Sequence, residues 1–250
     1  MAADFYDEIG AGYDTIIDWD ERLKREAPFY RGLFERHEVG TLLDTACGTG
    51  EHAALFASWG IDVVATDISR EMLEVCRLKY DAQAMTCLKA GFGTTYDALE
   101  RSFDAVTCLG NSWPHVLDDE LATAAAADFA KLVEPGGILI LQQLNYAAMR
   151  AQDERLMGPQ ARDVDGVETL FLRIFDLDRD PLRFTIVRMV RGDDGWTRDE
   201  WVTEHRVWSA VEMEALLTGA GFASVEFTGS FAGDVYDPQT SDQMIAVASR

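Results

Sequence analysis

The chain has 250 residues, with 44 Asp and Glu against 22 Lys and Arg, and a formal net charge of −22 at pH 7. A surface this negative repels phosphate backbones and anionic leaflets, so neither nucleic acid nor a membrane surface is an expected partner. With 48% hydrophobic and 26% charged residues, the composition is that of a globular chain able to bury a sizeable core.

In chain order, Phe5-Tyr6-Asp7-Glu8-Ile9-Gly10-Ala11-Gly12-Tyr13-Asp14 leads into a predicted helix on which Trp19, Leu23, Ala27, Tyr30 and Leu33/Phe34 recur at helical spacing. Residues 1–38 read as a helical cap. From residue 41 short apolar runs alternate with helical segments. Strands are predicted over 41–46, 61–66, 84–90, 103–109 and 137–144, and helices over 51–59, 69–80 and 118–133. The helix ends are chemically marked: Gly60 follows the first, Ser69 caps the second, and Pro135-Gly136-Gly137 stops the third. Such alternation, with nearly continuous apolar strands, predicts a doubly wound parallel sheet covered on both faces.

After Asn145 the rhythm changes. Strand-like segments over 167–176, 182–191 and 197–208 are joined by Asp178-Arg179-Asp180-Pro181 and Gly192-Asp193-Asp194-Gly195, which predicts an antiparallel meander. A helix over 209–217 and strands over 222–228 and 243–248 bring the main sheet to seven. The fold class is α/β, a mostly parallel seven-stranded sheet with a helical N-terminal cap and a small antiparallel β insertion. We expect one domain over 1–250, divided into the cap (1–38), a core (39–146), the insertion (about 160–208) and a C-terminal helix with two strands (209–250).

No stretch approaches the roughly 20 apolar residues of a membrane helix, and Met1 through Asp7 lacks the layout of a secretory signal. The expected location is cytoplasmic. Cys47, Cys76, Cys87 and Cys108 show no C-x-x-C pairing, so reduced thiols and no metal site are expected. His37, His52 and His205 are too dispersed to suggest ligands.

The most informative segment is Leu42-Leu43-Asp44-Thr45-Ala46-Cys47-Gly48-Thr49-Gly50-Glu51-His52-Ala53, at a predicted strand-to-helix junction. Glycines here let the backbone approach a ligand and leave a helix N-terminus facing it. Gly48 through Ala53 matches G-x-G-x-x-A, with Asp67 about 20 residues on. The loop alone therefore fits a nicotinamide dinucleotide or another adenosine-containing cofactor.

Three neighbours separate these. Asp44 precedes the glycines, where a pyrophosphate would be repelled but an ammonium would not. Ala65-Thr66-Asp67-Ile68-Ser69-Arg70-Glu71-Met72-Leu73 follows the second strand, and Glu134-Pro135-Gly136-Gly137-Ile138-Leu139-Ile140 precedes the fifth. Together these resemble the motifs of class I S-adenosylmethionine-dependent methyltransferases, a Rossmann-like fold. The resemblance implies that Asp67 holds the ribose hydroxyls through its two acceptor oxygens and that Ile68 and Met72 flank adenine. It also implies that Ala46, Gly48 and Gly50 form the cofactor loop with Asp44. The product would be S-adenosyl-L-homocysteine.

Cys108-Leu109-Gly110-Asn111-Ser112-Trp113-Pro114-His115 and Gln142-Gln143-Leu144-Asn145-Tyr146 further resemble the glycine and glycine/sarcosine N-methyltransferases, as do Trp19-Asp20 and Arg25-Glu26-Ala27. That resemblance implies an arginine on the cofactor carboxylate, best matched by Arg25 with Arg22 as a neighbour. It places the Leu109 carbonyl on the cofactor ammonium and Ala90, Gly91 and Phe92 beside adenine. Two departures stand out. Gly91 occupies the position of an adenine-binding acid, leaving backbone groups such as the Phe92 amide to serve, and Leu144 stands where the glycine enzymes carry a carboxylate-clamping arginine.

The expected acceptor is a small molecule, best read as an amine. Asn111, His115, Tyr6 and Tyr13 are the candidate catalytic groups, and Asn145 and Tyr146 the candidate substrate contacts. His115 is neutral at pH 7 in its reference state and could take a proton. Phe175, Trp201 and Trp208 read as sheet core. Nucleic-acid methylation fits poorly: Asn111-Ser112-Trp113-Pro114 is not the polar-Pro-Pro-aromatic stretch of base aminomethylases, and no Pro precedes a cysteine. Other N- or O-acceptors, a silent cofactor-binding protein and a nicotinamide-dependent oxidoreductase stay as alternatives, and the oligomeric state is open. The acidic balance, with Leu144, argues mildly against an anionic acceptor.

Overall fold

The computed structural model of the protein describes residues 2–80 and 85–250. Strands β1 (Thr41–Thr45), β2 (Asp62–Asp67), β3 (Met85–Lys89), β4 (Phe103–Cys108), β5 (Val133–Leu144), β10 (Ser224–Thr228) and β11 (Gln243–Ser249) form one sheet. Its order is β10-β11-β5-β4-β1-β2-β3, parallel from β5 to β3, with β11 and β10 antiparallel. Order reverses between β1 and β4, and at such a switch point the loops leaving the two strands part and open a crevice at their carboxyl ends.

Before the sheet come α1 (Ala2–Ile9), α2 (Tyr13–Ile16) and α3 (Trp19–Arg36). The connecting helices are α4 (Glu51–Ser58), α5 (Arg70–Lys79), α6 (Thr95–Leu99), α7 (Asp119–Leu132), α8 (Tyr146–Ala151) and α9 (Ala210–Ala220). Ser69, Asp118 and Ser209 cap α5, α7 and α9 by accepting a first-turn amide, as short polar side chains at those positions do. Two apolar clusters fill the sheet's faces, one around Trp113, Phe129 and Trp208 and one around Tyr30, Phe34 and Phe56.

The second sheet holds β6 (Leu156–Val164), β7 (Val167–Asp176), β8 (Leu182–Gly192) and β9 (Gly195–His205), antiparallel in that order. Its apolar face packs on α1 and α8 through Phe5, Ile9, Tyr146, Phe171, Phe175 and Phe184. This sheet has four strands where three are predicted. Strand β6 carries Gly158-Pro159 inside a half-exposed edge, and an edge strand tolerates a proline that would demote it in a sequence reading. Trp208 lies beyond β9 and packs on Trp113, with ring centroids 5.5 Å apart, so it belongs to the main core.

Strand β5 also begins earlier than predicted. Helix α7 ends at Leu132, Val133 already pairs with Phe103, and the register then jumps so that Ala105 meets Ile138. The intervening Glu134-Pro135-Gly136-Gly137 is a bulge within the strand. A Cβ at Gly137 would sit 2.6 Å from the Asp104 carbonyl oxygen, so that close approach requires glycine. Ala84, the first residue of the predicted third strand, lies outside the described residues.

Candidate active site

At the end of β1 the chain turns through Ala46 (φ +54°), Gly48 (φ +57°) and Gly50 (φ +88°). This left-handed run turns the Gly48 amide toward β2, where it donates to Asp67 Oδ2 at 2.8 Å while the Ser69 amide donates to Asp67 Oδ1 at 2.8 Å. Burial still raises the Asp67 pKa above its ordinary value. Asp44, also buried, accepts the Thr107 hydroxyl on Oδ1 at 2.7 Å and turns into the same cleft. Burial pushes it up to about 7, more than the Thr107 bond and Asp67 alter it.

A cleft of about 80 Å³ lies among these groups, walled by Ala46, Gly48, Ile68, Met72, Phe92 and Leu109. Ile68 is 47% exposed, an apolar side chain available to cover a flat ring, and Phe92 is braced edge-on by Trp113 and Phe129 at 5.8 and 6.0 Å. Two expected residues stand behind the wall. A Cβ on Gly50 would lie 2.7 Å from Cys76 Sγ, and one on Gly91 3.3 Å from Ile68 Cδ1. Gly50 therefore admits α5 against the loop, and Gly91 lets Ile68 lie flat.

The cap is tied over this cleft. Asp14 accepts from the Trp19 indole (3.0 Å), the Thr49 hydroxyl (2.6 Å) and the Lys79 ammonium (2.8 Å), while Asp7 takes the Ser69 hydroxyl. Tyr6 pairs its hydroxyl with His115 Nε2 at 3.0 Å and lies edge-on to Tyr13 at 5.8 Å. Burial lowers the His115 pKa to about 4, so its ring is neutral at pH 7.

Of the two candidate arginines, Arg22 lies nearer the cofactor loops. A Cβ at Gly110 would sit 3.8 Å from Arg22 Nη2. Arg25 is 65% exposed and stacks over Phe231. Both reach the buried Glu26 carboxylate, at 2.9 Å for Arg22 and 3.4 Å for Arg25, and His52 Nε2 completes the group at 2.8 Å. Burial drives the Glu26 carboxyl up, but His52 and Arg22 outweigh it and hold it below its ordinary value. A lone charged residue among apolar helix positions was the available signal for Glu26.

On the far side of Tyr6, Tyr13 and Gly110 a chamber of about 480 Å³ opens between the cap, the end of β5 and the antiparallel sheet. These three residues line both cavities. Asn111 reaches the chamber, but its side chain is occupied: Oδ1 accepts the Leu144 amide at 2.9 Å, and Nδ2 donates to the Tyr146 hydroxyl at 2.7 Å. Tyr146 is buried off the chamber wall and meets His205 Nδ1 at 2.8 Å. Asn145 caps α8 and donates to the carbonyls of Asp237, Pro238 and Ser241. The polar side-chain atoms of Asn111, a candidate catalytic group, and of Asn145 and Tyr146, candidate substrate contacts, are thus engaged by the protein. His205 is a wall residue that sequence reasoning missed. It is 1% exposed, and its Nε2 has no protein partner among the described residues. Gln142, also missed, holds the post-β4 loop by accepting from the Gly110 amide at 2.7 Å.

A seven-stranded sheet with its order reversed at β1/β4, a glycine loop on β1 and a backbone-held carboxylate ending β2 make up the Rossmann-like fold of the class I S-adenosylmethionine-dependent methyltransferases. The donor set suits S-adenosylmethionine: a carboxylate for vicinal hydroxyls, a second buried carboxylate for an ammonium, and apolar faces for a purine. Residues 42–137 match the methyltransferase domain family. Over 54% of the chain the sequence is 32% identical to a glycine/sarcosine N-methyltransferase of Halorhodospira halochloris, covering 51% of that protein. The chain thus spans about half the length of the glycine-type relatives it matches. The sugar N-methyltransferase KedS8 of Streptoalloteichus sp. superposes with a TM-score of 0.76 at 23% identity, covering 96% of this chain and 93% of that one. The amino pentose methyltransferase CalS10 of Micromonospora echinaspora, solved with S-adenosylmethionine bound, gives 0.71 at 22% identity over 96% and 95%. Among the described residues no helix is long and apolar enough to cross a membrane.

Proposed function

We propose that the protein transfers a methyl group from S-adenosylmethionine to an amine nitrogen of a small molecule held in the chamber. The observation that carries this reading is the junction at Tyr6, Tyr13 and Gly110, common to both cavities. In-line displacement needs the nucleophile about 3 Å from the methyl carbon, on the side opposite the sulfur. When bound, the cofactor supplies an electrophilic methyl on a sulfonium. Asp67 takes the ribose hydroxyls, Asp44 and the Leu109 carbonyl the ammonium, and Arg22 the carboxylate, with Ile68 and Met72 on adenine and Phe92 beside it.

The remaining chemistry is alignment and exclusion of water. Tyr6 and Tyr13 close the junction, and neutral His115 fixes the Tyr6 hydroxyl. A lone pair is needed for attack, so the acceptor amine must be unprotonated at the junction; the lowered pKa values of His115 and His205 make them poor bases, and the amine sheds its proton to solvent before it is enclosed. The glycine/sarcosine relatives favour an amine acceptor, as does the sugar N-methyltransferase neighbour in fold. Glycine itself is disfavoured by Leu144 and by a chamber of a size that suits a larger ligand. The test is S-adenosylhomocysteine formation across matched amines and alcohols. Turnover confined to amines is the expected result, and turnover confined to alcohols would overturn it.

A further inference from the structure

Three guanidinium groups line the chamber, from Arg22, Arg25 and Arg173. Arg22 and Arg25 both contact the Glu26 carboxylate. Arg173 does not. It stands on β7 between Phe171 and Phe175, with Met157 and Ile186 opposite it on the neighbouring strands, and all but Phe171 are chamber wall. Its side chain has no hydrogen bond or ion pair among the described residues. The groups that act on it through charge are Tyr13, Arg22 and Arg162. None is a carboxylate and two are cations, while Arg162 is itself occupied by Asp18 at 2.8 Å. An unpaired, partly buried cation in an apolar sheet face is costly for folding, and no carboxylate contacts its side chain among the described residues.

We propose that Arg173 anchors a carboxylate of the acceptor, which makes the acceptor an amine bearing one negatively charged group. This rests on the methyl-transfer reading of the chamber and names its substrate class. A guanidinium grips a carboxylate through two parallel N–H bonds. Of the three guanidiniums Arg173 alone contacts no carboxylate among the described residues, and a single guanidinium matches a carboxylate, whereas a phosphate dianion would call for a second such cation. The acidic balance and the wall carboxylates of Asp18, Glu21, Glu154 and Asp242 oppose an anion, and Arg173 supplies locally the positive charge that Leu144 cannot.

The test is calorimetric binding to the S-adenosylhomocysteine-loaded protein of 3-aminopropanoate and 6-aminohexanoate, against propylamine, hexylamine and aminoethyl phosphate. A carboxylate probe should bind more tightly than its parent amine, and Arg173→Gln should remove that preference, about tenfold or more, with Arg173→Lys restoring part of it. Because Gln removes an unpaired charge, the melting temperature of Arg173→Gln should hold or rise, which separates lost recognition from lost folding. Equal binding of amines and carboxylates, tighter binding of aminoethyl phosphate, or carboxylate binding unaltered in Arg173→Gln would overturn the proposal. Carboxylate binding through Arg173 with no methyl transfer to any acceptor would leave the anchor standing and defeat the proposed activity. Methylation of plain amines, indifferent to Arg173→Gln, would do the reverse.

Discussion

The cofactor cleft and the acceptor chamber meet at Tyr6, Tyr13 and Gly110, yet they are assembled in opposite ways. On the cleft side, Asp67 is held by the amides of Gly48 and Ser69, so its position is fixed by backbone in the loops that leave two adjacent strands. On the chamber side, Asn111, Tyr146 and His205 come from a loop, a helix and the antiparallel sheet and are joined only through side chains. A backbone-held site can keep one cofactor while a side-chain-held site is rebuilt around different acceptors.

The largest expected effect separates the two loop glycines. Gly50→Ala sets a Cβ against Cys76 in a left-handed conformation and should lower unfolding stability by about 3 kcal/mol. Gly48→Ala meets open space and should cost about 1 kcal/mol. Urea titration of both checks this, and equal losses would contradict the packing role of Gly50. Next, Asp67→Ala should weaken S-adenosylhomocysteine binding about 100-fold through loss of two charge-assisted hydrogen bonds. A change below about threefold in calorimetry would break the account of the cleft.

Tyr146→Phe sharpens the contrast from the other side. It strands Asn111 Nδ2 and His205 Nδ1 and should cost about 2 kcal/mol of stability, while leaving cofactor affinity within about twofold. Loss of cofactor affinity instead would show that the two regions are not independent.

The smallest effect is a pH dependence. The Asp44 pKa is raised to about 7, so the folded protein holds a proton that the unfolded chain has already released. Its contribution to stability is therefore present at low pH and declines as pH rises from the ordinary carboxylate range toward 7. On the proposed contact between ionised Asp44 and the cofactor ammonium, cofactor binding should strengthen as pH rises to about 7, by at most about tenfold per unit, and then level off. Asp44→Asn should flatten the profile. His115, lowered to about 4, stays neutral throughout that window, so a profile that survives in Asp44→Asn would assign it elsewhere.

The layout of the cleft was largely legible in the sequence because its polar groups sit in contiguous strand-to-helix segments. The chamber was less so. Asn111, Asn145 and Tyr146 fall near it, but a residue type does not reveal whether its polar atoms face a ligand or a neighbour. Arg25 and Arg22 lie one turn apart on α3, and only the buried Glu26 and the approach to Gly110 favour Arg22. Arg173 and His205 lie in strands whose alternation marks a sheet but not what that sheet faces. Strand β6 was hidden by Gly158-Pro159 on an edge where proline is tolerated.

The most direct test is a crystal structure with S-adenosylhomocysteine bound. Ribose hydroxyls on Asp67, adenine against Ile68 and the sulfur turned toward the chamber at Tyr6, Tyr13 and Gly110 are the expected result. A ligand bound elsewhere, or a sulfur facing away from that junction, would contradict it.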